Sequence, residues 1–414
     1  MEPYRIKVVE PIPRVSRRVR LRVLRNAGYN MFQIPAKYVT IDLISDSGTG
    51  AMSSHQWASM LNAREDFAGQ QSSESFIRTA QKLTGLRYIQ PVHQGRTAES
   101  ILFRLLLKRG DVVLANTHFE TTRANVEALD CRAIDLPSSE LPYLGNIAVD
   151  RIEQYIRKYK RVRMVILTIT SNIKGGQPMS LKNIAVTSKL CKKHGLLLVL
   201  DACRFADNAY LIKEYDRLRG SVGAICRRIF GYSDMAYMSN KKDGLVNIGG
   251  FIGVRSEELH ARLRNEVIRQ EAYPSSGGLA ARDVAAMTQG LLDATNGQFL
   301  RAHISSIRFL ASTLKRNNVP VFEPVGGHAV VVMSKKQKYY AFALAAQVYA
   351  QTGIRGGVFE DYYRLAIPRR VYTREHLQFV GEALSRAYAS GVPRLKLVNK
   401  PREFFNFFAR FSAG

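Results

Sequence analysis

The sequence predicts an α/β protein: a large, doubly wound, mainly parallel sheet domain joined to a smaller α+β domain. Three observations lead there. Short runs that are apolar on both faces recur up to Val254. Helix-length amphipathic stretches separate them. Beyond about Gly297 the alternation gives way to isolated strands and a long helix. Runs apolar on both faces are strands of a covered sheet, and strands alternating with helices wind it on two faces.

Each element follows in order. Residues 112–116 follow Gly110-Asp111, and residues 164–170 end at Ser171-Asn172. Residues 196–200 end at Asp201, residues 235–238 end at Ser239, and Gly250–Val254 comes next. Between them, residues 99–108 carry Ile101, Leu102, Leu105 and Leu106 at helical spacing. Residues 149–159 carry Ile152, Tyr155 and Ile156, and residues 181–194 carry Ile184, Val186, Leu190 and Cys191. Ligands in such sheets lie beyond the carboxyl ends of the strands. Polar residues gather there: 116–122, Ser171-Asn172, 201–204 and 239–243. Farther on, residues 319–322, 328–332 and 363–367 read as strands. Residues 373–388 read as a helix capped by Thr373, with Leu377, Val380 and Leu384 on one face. The expected division is 45–300 for the large domain, with 1–44 and 301–414 for the small one.

With 46% hydrophobic and 23% charged residues among 414, burial can offset chain entropy, which excludes global disorder. No apolar run is long enough for a membrane span. Four cysteines without metal or disulfide spacing fit a reducing, cytoplasmic setting. The net charge of +27 invites a nucleic-acid reading. Its densest stretch is Arg14, Arg17, Arg18, Arg20, Arg22 and Arg25. No RNP, KH or zinc-finger pattern accompanies it, so a solvated face, or one meeting another subunit's acidic groups, is the better reading. The arginines also make a poor targeting presequence, because Glu2, Glu10 and three prolines interrupt them.

The chemistry concentrates in a few segments. Ser239-Asn240-Lys241-Lys242 closes a strand, and a lysine with a cationic neighbour suits a Schiff base. The bland alternative is a surface charge. Asp201-Ala202-Cys203-Arg204 closes another strand; its aspartate is either a helix cap or the carboxylate that keeps a pyridine nitrogen protonated. His93-Gln94-Gly95-Arg96 opens a helix whose N–H groups can hold a phosphate. Phe119 either stacks on a planar ring or packs in the core.

Seven blocks occur together: IDLISDSGTGAMS (41–53), HQGR (93–96), TSNIKGGQP (170–178), DACRFADNAY (201–210), SNKKDGLVNIGG (239–250), GGHAV (326–330) and RLAIPRRVYT (364–373). In these the chain resembles the tryptophanase and tyrosine phenol-lyase family of pyridoxal-phosphate (PLP) β-eliminating lyases, of the type I aspartate-aminotransferase fold. The resemblance runs nearly end to end, and the tyrosine phenol-lyase branch looks closest in wording. It implies that Lys242 forms the Schiff base and removes the α-proton. Asp201 pairs with the ring nitrogen and Arg204 with the ring oxygen. Gln94, Gly95, Arg96 and Ser239 bind the phosphate, and Phe119 stacks on the ring. Asn172 and Arg364 hold the substrate carboxylate, Ser45 and Ser47 line that region, and His328 faces the side-chain pocket. Gly48, Glu65 and Asn247 hold a monovalent cation, usually potassium. The implied partners are an amino-acid substrate and further copies of the chain, as a dimer or tetramer; no membrane and no nucleic acid is expected.

Departures from the pattern carry information. The resemblance places a proton-donating tyrosine where this chain has Phe67, and a second tyrosine where it has Ser276. The loop between Gly356 and Arg364 is short, and Glu120 follows Phe119 where the phenol-lyase branch has threonine. Cofactor chemistry is expected intact, with a substrate of the sulfur-containing kind. A β-replacement enzyme or aminotransferase on the same fold, or a weakly catalytic basic scaffold, are the other readings; a keto-acid test and a visible spectrum separate them.

Overall fold

A computed structural model describes residues 2–359 and 362–414. The chain divides into two compact units, Ser47–Leu300 and Met1–Asp46 with Arg301–Gly414. In chain order the strands are β1 (Ile41–Leu43), β2 (Tyr88–Val92), β3 (Val112–Ala115), β4 (Arg132–Asp135), β5 (Val162–Thr168), β6 (Leu197–Asp201), β7 (Met235–Ser239) and β8 (Gly250–Val254). Then come β9 (Ala329–Val332), β10 (Ile354–Phe359), β11 (Tyr362–Ala366), β12 (Leu395–Asn399) and β13 (Arg410–Ala413).

The larger unit holds a sheet in the order β2-β8-β7-β6-β5-β3-β4. From β7 to β4 every pairing is parallel. Both faces are covered, and β5 shows why its run is continuously apolar. Val165 and Leu167 enter the core on one face, Met164 and Ile166 the core on the other. The helix Gly95–Leu106 belongs to one layer, and the helices Leu181–Lys193, Phe205–Tyr215 and Ala281–Ala294 to the opposite one.

One expectation is corrected here. β8 reads like its parallel neighbours, yet it runs antiparallel to both β7 and β2. The stretch 240–249 is too short for a helical crossover, which takes a dozen or more residues, so the chain has to turn back. Reading apolar runs alone also missed β2, whose Pro91 argues against a strand, and the half-exposed β4.

In the smaller unit the sheet order is β1-β10-β11-β9, with β1 parallel to β10 and the rest antiparallel. β12 and β13 form a separate antiparallel pair. Residues 319–322, expected as a strand, make only an isolated bridge from Val321 to Val332. The long helix runs Arg374–Ala389 with Thr373 as its N-cap, and Leu377, Val380 and Leu384 are buried as expected. In the helix Arg17–Asn26, Arg20 donates to the Ala350 and Gln351 carbonyls, whereas Arg17, Arg18, Arg22 and Arg25 are exposed. Among the described residues no helix is long and apolar enough to cross a membrane.

Candidate active site

The pairing directions bring the carboxyl ends of β2, β3, β5, β6 and β7 to one edge of the sheet. Four of the segments picked from sequence leave from that edge: His93–Arg96, the Phe119 segment, Asp201–Arg204 and Ser239–Lys242.

Gly250 is the register partner of both Val92 and Ser239. A Cβ there would lie 2.5 Å from the Met238 carbonyl oxygen and 3.0 Å from the Gln94 carbonyl carbon. A Cβ on Gly95 would lie 2.8 Å from Ser239 Cβ. Three backbone segments therefore meet with no side chain between them. The helix Gly95–Leu106 starts with no acidic residue in its first turn and no side-chain cap from Gln94, so its leading N–H groups carry the dipole's positive end. Arg96 is exposed beside it. Burial, Lys242 and Arg96 together push the Lys241 ammonium below the usual lysine range. N–H groups at a helix start with Arg96 and Lys241 beside them suit a phosphate dianion, with the Glu271 carboxylate occupied nearby by the His93 N–H at 3.0 Å.

The lysine loop is held on several sides. Asp243 accepts from the N–H groups of Ala206 at 2.7 Å and Asp207 at 3.3 Å, capping the helix Phe205–Tyr215. Gln56 donates to the Leu245 and Ala286 carbonyls at 3.0 and 3.3 Å. Gly290 in the helix Ala281–Ala294 lets Gly244 approach; a Cβ there would stand 1.9 Å from the Gly244 carbonyl oxygen. Lys242 thus projects from a loop that has little freedom to move, as a reacting lysine needs.

Asp201 is buried at the end of β6, opposite Tyr237. The Cys203 N–H donates to its carboxylate at 3.3 Å, and the Cys203 sulfur accepts from the Ser239 N–H at 3.3 Å. Burial and the Asp201 charge push the Cys203 thiol up to about 12, so it stays neutral. Arg204 is buried at the head of the helix Phe205–Tyr215. Phe119 is half-buried and directly precedes the helix Glu120–Glu127. Asn172 opens a short turn, and Thr117 is tied to Ser171 at 2.8 Å between the loops after β3 and β5.

The three residues expected to hold a cation gather only in part. Gly48 donates its N–H to the Lys241 carbonyl at 2.6 Å, and its own carbonyl accepts from the Asn247 amide at 3.0 Å. Glu65 is engaged elsewhere: its carboxylate accepts from the Ala281 N–H at 2.6 Å and the Arg282 N–H at 3.3 Å, at the start of the helix Ala281–Ala294. Ser47 lies next to Gly48 at the edge of this unit. Phe67 is 81% exposed, its ring 5.4 Å from that of Tyr273. Ser276 is buried.

In the smaller unit, Arg364 is buried on β11 with its guanidinium 3.9 Å from the Phe359 ring centre. His328 is wholly buried just before β9. Ser45 is half-buried beside Asp46, which forms a buried ion pair with Arg369 at 3.1 Å. Of the shortened loop, Glu360 and Asp361 lie outside the described residues.

The sequence profile of the family described as Beta-eliminating lyase matches residues 42–383. The chain belongs to that family. This lyase is 41% identical to a protein named probable tryptophanase from Aeropyrum pernix, over 97% of its own length and 94% of the relative's. It is 36% identical to a tyrosine phenol-lyase from Clostridium tetani, over 99% and 97%. The tyrosine phenol-lyase wording noted in the sequence is thus not matched by overall identity, which is higher to the tryptophanase. Block similarity near a cofactor weighs residues that both branches need. Among solved structures, a serine palmitoyltransferase from S. paucimobilis with bound PLP has a TM-score of 0.64 at 15% identity, covering 84% of this chain and 88% of that one. That likeness shows the type I fold of PLP enzymes.

Sequence reasoning missed two residues of the lyase. Asp243 stood in the polar segment 239–243 with no role of its own, though it caps the helix Phe205–Tyr215. Glu99 carried a signal that went unused: a carboxylate on a helix between Ala98, Ile101 and Leu102, all three buried.

Proposed function

We propose that this PLP-dependent lyase removes the α-proton of an amino acid and expels a β-substituent, with a sulfur-containing amino acid as substrate. The observation that carries the cofactor half is the arrangement around Gly95, Ser239 and Gly250, with cationic Arg96 and Lys241 beside it and Lys242 on the adjoining held loop. Bound PLP would supply an electron sink for the carbanion left at Cα.

The chain's own groups would then divide the work. The N–H groups at the start of helix Gly95–Leu106, with Arg96 and Ser239, hold the phosphate. Asp201 keeps a proton on the ring nitrogen, and Arg204 faces the ring oxygen. Phe119 stacks on the ring. Lys242 would hold the cofactor through its aldehyde group and would accept the α-proton of the substrate. On the family resemblance, Asn172 and Arg364 would hold the carboxylate, Ser45 and Ser47 would line that region, and Glu120 and His328 would face the substrate side chain. The Cα–H and Cβ–S bonds break, the sulfur leaves as thiolate, and water uptake by the remaining enamine releases pyruvate and ammonium.

The sulfur preference rests on Phe67 in place of a tyrosine. A thiol of pKa about 8.5 leaves as a stable anion, whereas an aryl carbon needs a proton delivered to it. A potassium ion at Gly48, Glu65 and Asn247 belongs to the same proposal, and would replace the Asn247 to Gly48 hydrogen bond. So does assembly into dimers or tetramers. The testing experiment is a screen of amino acids for pyruvate and ammonia release, with the leaving group identified. Release from S-substituted cysteine above that from tryptophan and tyrosine supports the proposal; the opposite order overturns its substrate.

A further inference from the structure

Glu99 is a carboxylate with 6% exposure, and nothing in the reaction above uses it. It stands one turn past Gly95 on the helix that begins at the phosphate end of the site. Each of its oxygens has a partner. Thr122 Oγ1 donates at 2.7 Å to one, and Asn125 Nδ2 at 3.1 Å to the other. Both donors lie on the helix Glu120–Glu127, which begins immediately after Phe119. One buried side chain thereby fastens the helix of the phosphate cradle to the helix that aims Phe119 and Glu120.

We propose that Glu99 is a positioning residue of the cofactor site, setting the Phe119 platform at a fixed place relative to the phosphate cradle. The proposal rests on the PLP reading of that site. Hydrogen bonds are directional, so the contacts from Thr122 and Asn125 transmit position in a way that apolar packing alone does not.

The charges around it explain its second effect. Burial and the Asp201 charge raise the Glu99 carboxyl to about 7, against the pull of Thr122, Asn125 and Lys242. The phenol of Tyr237, on β7, is pushed well above its usual range by burial, Asp201 and Glu99, and the Cys203 thiol also stays neutral. Below about pH 7 the Glu99 carboxyl therefore carries a proton and adds no charge beside Asp201. As pH rises through about 7, Glu99 ionises and adds a second negative charge beside Asp201 and Lys242.

The experiment measures PLP itself on the apo-protein, by fluorescence titration and by the pH dependence of the bound cofactor's visible absorbance. Thr122→Val keeps the shape and removes the donor; it should weaken PLP binding about tenfold. Glu99→Ala should weaken it at least as much. Glu99→Gln should hold PLP within about threefold of the parent but lose the absorbance change centred near pH 7. If Glu99→Ala does not fold, Thr122→Val and Glu99→Gln carry the test. PLP binding unchanged in Thr122→Val, or a pH step retained in Glu99→Gln, overturns the proposal while the cofactor reading stands. A parent protein that takes up no PLP overturns the cofactor reading and this proposal with it.

Discussion

Gly95 and Ser239 touch through backbone-level atoms: a Cβ on the glycine would stand 2.8 Å from Ser239 Cβ and 3.2 Å from the Ser239 nitrogen. The start of one helix and the end of β7 are thus pressed together where a phosphate is expected. Gly95→Ala should push them apart, with an overpacking cost of about 1–3 kcal/mol. PLP affinity should fall more than tenfold while the far-ultraviolet circular dichroism is kept. Unchanged affinity would remove this contact from the phosphate site.

Lys242 projects from a loop pinned by Asp243, Gln56 and Gly290. Lys242→Ala should abolish the borohydride-reducible bond between protein and cofactor and cut turnover by at least about 10²-fold, the lower range for a lost acid–base group. Persistence of a reducible bond would assign the role to Lys241. Asp243→Ala should loosen the loop and the helix Phe205–Tyr215 together, lowering the melting temperature as well as turnover.

Lys241 has its ammonium depressed by burial, Lys242 and Arg96, so the folded chain bears a cationic strain that an anion relieves. The sign follows. With its folded pKa below that of the free side chain, Lys241 weakens the fold while protonated, and the penalty fades as pH rises through its folded pKa. Inorganic phosphate should therefore raise the melting temperature more than chloride at equal ionic strength, and more at pH 7 than at alkaline pH. Saturation to a hundred times Kd corresponds to about 2.7 kcal/mol. Lys241→Met should reduce the phosphate effect.

Phe67 lacks the hydroxyl that would protonate an aromatic leaving group. Phe67→Tyr should raise the rate on tyrosine or tryptophan by more than tenfold and leave the rate on S-substituted cysteine within about twofold, a positioned acid being worth about 10²–10⁴. If the unaltered protein already prefers aromatic substrates, Tyr273 is the first alternative donor, because its ring lies 5.4 Å from that of Phe67.

Glu65 caps the helix Ala281–Ala294 through the Ala281 and Arg282 N–H groups. Glu65→Ala should cost about 0.5–2 kcal/mol in thermal or denaturant unfolding, the usual worth of a cap. Activity should rise in potassium or ammonium over sodium or lithium, and Glu65→Ala should flatten that difference. Equal rates in all four salts would leave Glu65 with the cap alone.

The sequence by itself determined five of the seven strands of the covered sheet, since residues apolar on both faces leave no solvent side, and it located the polar segments at their ends. Asp201, Ser239 and Lys242 were legible for the same reason, each lying within a few residues of a strand end, whereas the motif blocks were legible through their resemblance to a known family. The tertiary structure alone decided what crosses between segments. β8 turned antiparallel because ten residues cannot carry a helical crossover. Gly250 became the floor between Val92 and Ser239, Asp243 reached the helix after Cys203, and Glu65 was drawn to a helix more than two hundred residues away. Glu99 found Thr122 and Asn125 across two helices. Such partners leave no periodic trace in a chain. Periodicity records only whether a position is buried, whereas a buried hydrogen bond depends on which other segment the fold happens to bring within 3 Å.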